Sequence, residues 1–158
     1  MTARDAAATR PWRVRAPRDG DFARWRELYQ QYADFYEEPQ ADESTALVWS
    51  WIQDPQHEVG CLLVEDRDGL VAGLAHYRPF ARPLDASTGC FLDDLFVHPA
   101  QRGTGAVDAL LSELRTTAQD KGWGIVRWIT AEDNHRARAK YDQYATRTRW
   151  VTYEMATY

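Results

Sequence analysis

Arg102 is followed by Gly103-Thr104-Gly105, and these residues stand between an apolar run ending "DDLFV" and an amphipathic run beginning "AVDALL". A strand-to-helix connection needs one glycine at most. A second glycine beside an arginine leaves backbone bare where a helix begins. The first N–H groups of a helix have no intrahelical acceptors and lie at the positive end of its dipole. Without a Cβ in the way an anion can reach those amides, and the Arg102 guanidinium adds a charged fork suited to phosphate. The pattern predicts a site for a phosphate or pyrophosphate; the plainer reading is a connection with a surface arginine. Two common phosphate loops do not fit. No lysine follows the glycines as G-x-x-x-x-G-K-[ST] requires, and the third glycine of G-x-G-x-x-G is Asp108 here.

The elements that must hold this turn can be read along the chain. "WRVR", from Trp12 to Arg15, reads as a short strand closed by a Pro/Gly turn. Asp21 is expected to cap a helix whose stripe is Phe22, Trp25, Leu28, Tyr29, Tyr32 and Phe35, ended by Pro39. A second helix is expected from about Asp42 to Ile52. Two strands flank Asp68-Gly69, a strong hairpin signal, and "CFLDDLFVHP" is a third strand ended by Pro99. The helix after the glycines carries Val107, Leu110, Leu111 and Leu114 on one face and stops at Lys121-Gly122. "IVRWIT" reads as a buried strand, "NHRARAKYDQYA" as a helix capped by Asn134, and "RWVTYEMATY" as a final alternating strand. The order β-α-α-β-β-β-α-β-α-β predicts an α/β fold with a mixed sheet.

A chain of 158 residues holds one domain with a real core, here residues 12–158 behind a loose leader of residues 1–11. No apolar run reaches the roughly 20 residues of a membrane span, and the N-terminus lacks the apolar centre of a secretion signal, so a cytoplasmic protein without membrane partners is expected. Cys61 and Cys90 have no metal or redox spacing and are expected to be buried, inert thiols. The net charge of −5 argues against nucleic acid as a partner. No Lys or Arg occurs from Glu27 to Asp66, while ten Asp and Glu residues do.

"LDDLFVHPAQRGTGAVDALL" resembles the acetyl-CoA-binding core of the GNAT superfamily of N-acetyltransferases, a strand followed by [RQ]-x-x-G-x-[GA] and a helix; Val107 stands where that loop ends on a small residue. "DNHRARAKYDQYA" resembles the same family's N-x-x-A-x-x-x-Y helix at Asn134, Ala137 and Tyr141. "LDDLFV" is similar in particular to the strand of the polyamine and thialysine acetyltransferase branch. The resemblance implies acetyl-CoA as cofactor, held by Leu95, Phe96, Val97, Arg102, Gly103, Thr104, Gly105, Ala106, Val107, Asn134, Ala137 and Tyr141. It also implies splayed central strands, with an N–H of the Leu95-Phe96 portion offered to the acetyl carbonyl, a contribution of about 3 kcal/mol per donor.

On the same basis Tyr141 is the expected general acid. A phenol of pKa about 10 is reasonably matched to a thiolate leaving group of pKa about 8.5. Asp93 is the expected general base, with His76 and Glu132 as fallbacks. Strand alternation would put Asp93 and Asp94 on opposite faces, so that only one could meet the acceptor. In such enzymes the two N-terminal helices wall the acceptor. Here that wall reads "YQQYADFYEEPQADE", whose Tyr36, Glu37 and Glu38 suit a small cationic amine such as a diamine, polyamine or lysine-like amino acid. Phe35 and Tyr32 are expected in the core. An acidic groove would also suit a basic peptide, and a CoA-binding module without turnover is the alternative from another class. The related branch also implies that the last strand could join a homodimer.

Overall fold

The computed structural model describes residues 11–158, so all but the last residue of the expected leader lies outside the described residues. The chain divides into two compact units, one ending at Trp128 and one running from Ile129 to Tyr158.

The first unit is built on a five-stranded sheet of order β1-β2-β3-β4-β5: Arg13–Arg15, Gly60–Glu65, Val71–Arg82, Ser87–Val97 and Val126–Arg127. The first four strands are antiparallel to their neighbours, and β5 runs parallel to β4. The hairpin between β2 and β3 is held by Asp66, whose Oδ1 accepts from the N–H of Asp68 and of Leu70 at 2.9 Å. Helices α1 (Phe22–Phe35), α2 (Asp42–Gln53) and α3 (Ala106–Asp120) complete the unit.

Period-3.6 stripes explain where the helices dock. Trp25, Leu28 and Tyr29 of α1 pack with Cys61, Leu63, Leu74 and Phe96 on one face of the sheet, and Phe22, Val48 and Trp49 extend that cluster. The other face carries α3 through its buried Leu110, Leu111, Leu114 and Ala118. Fully burying one such leucine contributes roughly 1.5–3 kcal/mol.

Three expectations fail locally. Asp21 precedes α1 but makes no side-chain cap. Its carboxylate accepts instead from Arg15 Nη1 at 2.7 Å and Nη2 at 3.0 Å, and Arg15 Nε also bonds Glu65 Oε2 at 2.8 Å. A two-point ion pair that ties β1 to the start of α1 outcompetes one cap bond. Phe35 is 58% exposed rather than in the core. At 100° per residue it lies at the edge of the stripe that Trp25, Leu28 and Tyr32 define. The expected buried strand "IVRWIT" shrinks to Val126–Arg127, neither residue buried.

The second unit contains α4 (His135–Tyr141) followed by turns. Asn134 stands at its N-cap position, but its side chain donates to Thr130 Oγ1 at 3.3 Å and does not cap the helix. The expected strand at the C-terminus is not formed. Its apolar alternation supplies a face but no ladder partner, and Trp150, Val151, Tyr153 and Met155 are 74–92% exposed.

Candidate active site

Strand β4 sets the geometry. Against β3 it runs in register from Val97 opposite Gly73 to Asp94 opposite His76, and resumes with Leu92 opposite Tyr77. Asp93 is therefore the extra residue of a β-bulge. A bulge breaks the period of two and bends its strand. On the other edge of β4, pairing with β5 covers only Cys90 and Phe91. Among the described residues, the edge from Leu92 to Val97, which includes Leu95, Phe96 and Val97, has no ladder partner there, which leaves backbone groups that a ligand could pair with.

The bulge overturns the expectation that the two aspartates face opposite ways. His76 and Arg78 are two residues apart on β3 and so share a face. Asp94 Oδ2 meets His76 Nδ1 at 2.8 Å, and Asp93 Oδ2 accepts from Arg78 Nε at 3.1 Å. Both carboxylates thus lie on the α1 side of the sheet.

Asp94 is held by a polar network inside the core. Trp25 Nε1 donates to His76 Nε2 at 2.9 Å, so the imidazole proton sits on Nδ1 and is donated to Asp94. The Tyr29 hydroxyl donates to Asp94 Oδ2 at 3.2 Å, and Tyr32 donates to the same carboxylate. Burial pushes the Asp94 pKa up, but the bonds from His76, Tyr32 and Tyr29 outweigh it and hold the group below the ordinary carboxylate value. Burial and the neighbouring charge of Asp94 push the phenols of Tyr29 and Tyr32 well up, so both stay protonated donors. Gln40 donates to the Tyr29 hydroxyl, and its buried Oε1 has no donor among the described residues.

Asp93 differs. Its side chain is 33% exposed, and its pKa is raised, first by burial and further by Asp94, against the opposing pull of Arg78. Two adjacent carboxylates pushed in opposite directions are the arrangement by which proteins separate a fixed charge from a group that exchanges protons.

Loss of the Asp94 charge should therefore cost stability in a pH-dependent way. Asp94→Asn keeps one carbonyl acceptor but removes the negative charge and the second oxygen that the buried donors share, and we expect a loss of about 1–3 kcal/mol at neutral pH. Because the folded pKa of Asp94 is depressed, its contribution is complete above the ordinary value near ~3.9 and disappears as pH falls through the folded value. Thermal melts between pH 7 and pH 3 should show the two proteins converging at the acid end, and a constant gap would contradict the assignment.

The glycine turn lies beyond the other end of β4. Gly103 has φ +77° and Gly105 φ +93°, conformations that side chains rarely adopt. Among the described residues, a Cβ on Gly103 would meet nothing within 4 Å, and one on Gly105 would touch the Trp12 ring at 3.8 Å. Trp12 Nε1 donates to the Thr104 carbonyl at 2.9 Å and pins the loop to the chain just before β1. The amides of Ala106, Val107 and Asp108 open α3, and Arg102 is exposed beside them. Such a cradle fits a diphosphate.

The remaining expected residues are distributed as follows. Tyr36, 40% exposed, packs edge-on against Tyr32 at 4.9 Å, and Glu37 and Glu38 are exposed just after it. His76, a fallback for the base, is the buried partner of Asp94. Cys61 and Cys90 are buried and free; burial raises both thiols, that of Cys90 to about 11, so neither is a ready nucleophile. Asn134, Ala137, Tyr141 and the other fallback, Glu132, belong to the second unit. Arg78 and Tyr29 were not singled out as site residues from sequence. The one signal was His76 and Arg78 spaced by two after the apolar first half of the strand.

The profile of the acetyltransferase (GNAT) family matches residues 25–145. This chain belongs to the GNAT acetyltransferase family. The enzyme is an N-acetyltransferase, and acetyl-CoA is its acyl donor. It is 26% identical to the D-amino-acid N-acetyltransferase HPA3 of Saccharomyces cerevisiae, over 92% of this chain and 91% of the relative. Among solved structures, a probable acetyltransferase superposes with a TM-score of 0.81 at 19% identity, covering 92% and 98% of the two chains. AAC(6')-Iy in complex with a CoA bisubstrate analogue gives 0.76 at 18% identity, covering 92% and 99%. Among the described residues, no helix of the GNAT enzyme is long and apolar enough to cross a membrane.

Proposed function

We propose that residues 12–158 work as one N-acetyltransferase domain of the polyamine and thialysine type, acetylating the primary amine of a small cationic acceptor by direct attack. The observation that carries this reading is the pair of carboxylates on one sheet face, Asp94 fixed by three donors and Asp93 raised and partly exposed. The aromatic and acidic end of α1, with Tyr36, Glu37 and Glu38, draws a cation towards it. The name of the yeast relative favours a free amino acid among such acceptors.

When bound, acetyl-CoA supplies an activated thioester carbonyl. Asp93 takes the proton that the amine nitrogen must lose. A backbone N–H from the unpaired edge at Leu95-Phe96 donates to the oxygen on which charge develops. The Tyr141 hydroxyl gives its proton to the departing sulfur, so the proton gained at Asp93 balances the one lost at Tyr141. The amides from Gly103 to Val107, with Arg102, hold the diphosphate; Asn134 and Ala137 support the cofactor from the helix that carries Tyr141. Raised cysteine thiols speak against an acetyl-cysteine route.

The test is thiol release from acetyl-CoA across spermidine, a diamine, lysine and a basic peptide. Turnover of the small amines above the peptide is expected, and turnover of the peptide alone would overturn the acceptor assignment. Arg102→Ala should weaken acetyl-CoA binding by about 10-fold, in keeping with the loss of one charge-assisted contact; an unchanged Kd by calorimetry takes Arg102 off the phosphate. A homodimer through the exposed segment from Trp150 to Met155 belongs to the same reading, and a monomer by light scattering removes it.

A further inference from the structure

The guanidinium of Arg78 is only half used. It bonds Asp93 through Nε alone, at 3.1 Å to Oδ2 and 3.3 Å to Oδ1. Its Cζ lies 4.9 Å from the centroid of Phe91, which steadies the plane of the group. Among the described residues, neither Nη has an acceptor, and the side chain is 35% exposed. A planar fork with two parallel N–H donors at its end is the shape that binds a carboxylate at two points. This fork is fixed beside the carboxylate proposed above to meet the amine.

We propose that Arg78 is the residue that recognises a carboxylate on the acceptor, so that the preferred acceptor is an α-amino acid and not a simple amine. The inference rests on the reading that the amine meets Asp93. An α-amino acid carries its ammonium and carboxylate one carbon apart, and Asp93 and Arg78 are in direct contact with each other. With the ammonium against Asp93 and the carboxylate against the free Nη groups, four charges alternate in sign and each has an opposite neighbour. A diamine would instead bring its cation to Asp93 with nothing for the fork, and a second cation would be repelled by it. The turn that follows α1 carries Tyr36, Glu37 and Glu38 for a basic side chain, so a lysine-like amino acid uses both features.

The experiment compares lysine, lysine amide and cadaverine as acceptors, with each rate read as thiol release from acetyl-CoA at one fixed pH. The wild-type protein should prefer lysine to its amide and to cadaverine by about 10- to 100-fold in kcat/KM, the range expected for a two-point bond to a charged group. Arg78→Gln should bring the lysine-to-amide ratio close to one, and Arg78→Lys, which keeps the charge without the fork, should leave an intermediate ratio. Equal wild-type use of lysine and its amide would overturn the role of Arg78 while leaving the small-amine acetyltransferase intact. Failure of every small amine would overturn both. Because the wild-type comparison decides the matter alone, poor folding of a variant does not rescue the proposal.

Discussion

Tyr141→Phe is expected to lower kcat by about 100-fold or more while leaving the Kd for acetyl-CoA nearly unchanged. General acid catalysis contributes roughly 10²–10⁴-fold, and removal of the phenolic proton leaves the departing sulfur to leave as an unassisted thiolate. The substitution removes only the hydroxyl and keeps the ring, so cofactor affinity is the control. Two features of the reaction sharpen the test. The loss should be greatest when the chemical step limits turnover, which single-turnover mixing isolates. A thioester with a more acidic thiol should partly rescue the variant, because a better leaving group needs its proton less. Normal kcat with acetyl-CoA would remove Tyr141 from the role.

The second large effect is at Asp93. Asp93→Asn should reduce kcat/KM by roughly 10²–10³-fold, since an amide cannot take up the proton of the attacking amine. The pH dependence adds a check that simple damage would not reproduce. As the proposed base, Asp93 must be ionised to act, so activity is expected to fall as pH drops through its pKa. That pKa is raised chiefly by burial, so the acid limb of the wild-type profile should lie above the ordinary aspartate value near ~3.9. Asp94 adds to the rise and Arg78 opposes it. Asp94→Asn should therefore move the limb to lower pH, and Arg78→Gln should move it higher. A profile that ignores both neighbours would show that some other group, or none, takes the proton.

The bulge explains why neighbouring aspartates reach different ends. Asp94 has lost its independence: three donors from two elements converge on it, and one of them is oriented by Trp25 through His76. Asp93, itself the extra residue of the bulge, reaches past the core to Arg78 and solvent. Moving one residue of register thus separates a structural anion from a candidate base.

The sequence by itself determined the parts that depend on near neighbours along the chain. The glycine turn was legible because positive φ at Gly103 and Gly105 needs glycine there, and the stripes of α1 and α3 because 3.6-residue spacing places their side chains together. Asp68-Gly69 marked its hairpin for the same local reason. The mixed sheet followed from the order of the elements, and the family and the acyl donor from the resemblance of two motifs. Tertiary structure alone decided which groups meet. Trp25 and His76 are 51 residues apart, and Tyr29 and Asp94 are 65 apart. No periodicity foretells that Asp93 is the unpaired residue of a bulge, because a bulge is defined by the opposite strand. The same cause shortened β5, left the segment after Arg149 without a ladder and hid Arg78. Strand partners are chosen by the whole sheet, whereas turns and helices are chosen by the residues that make them.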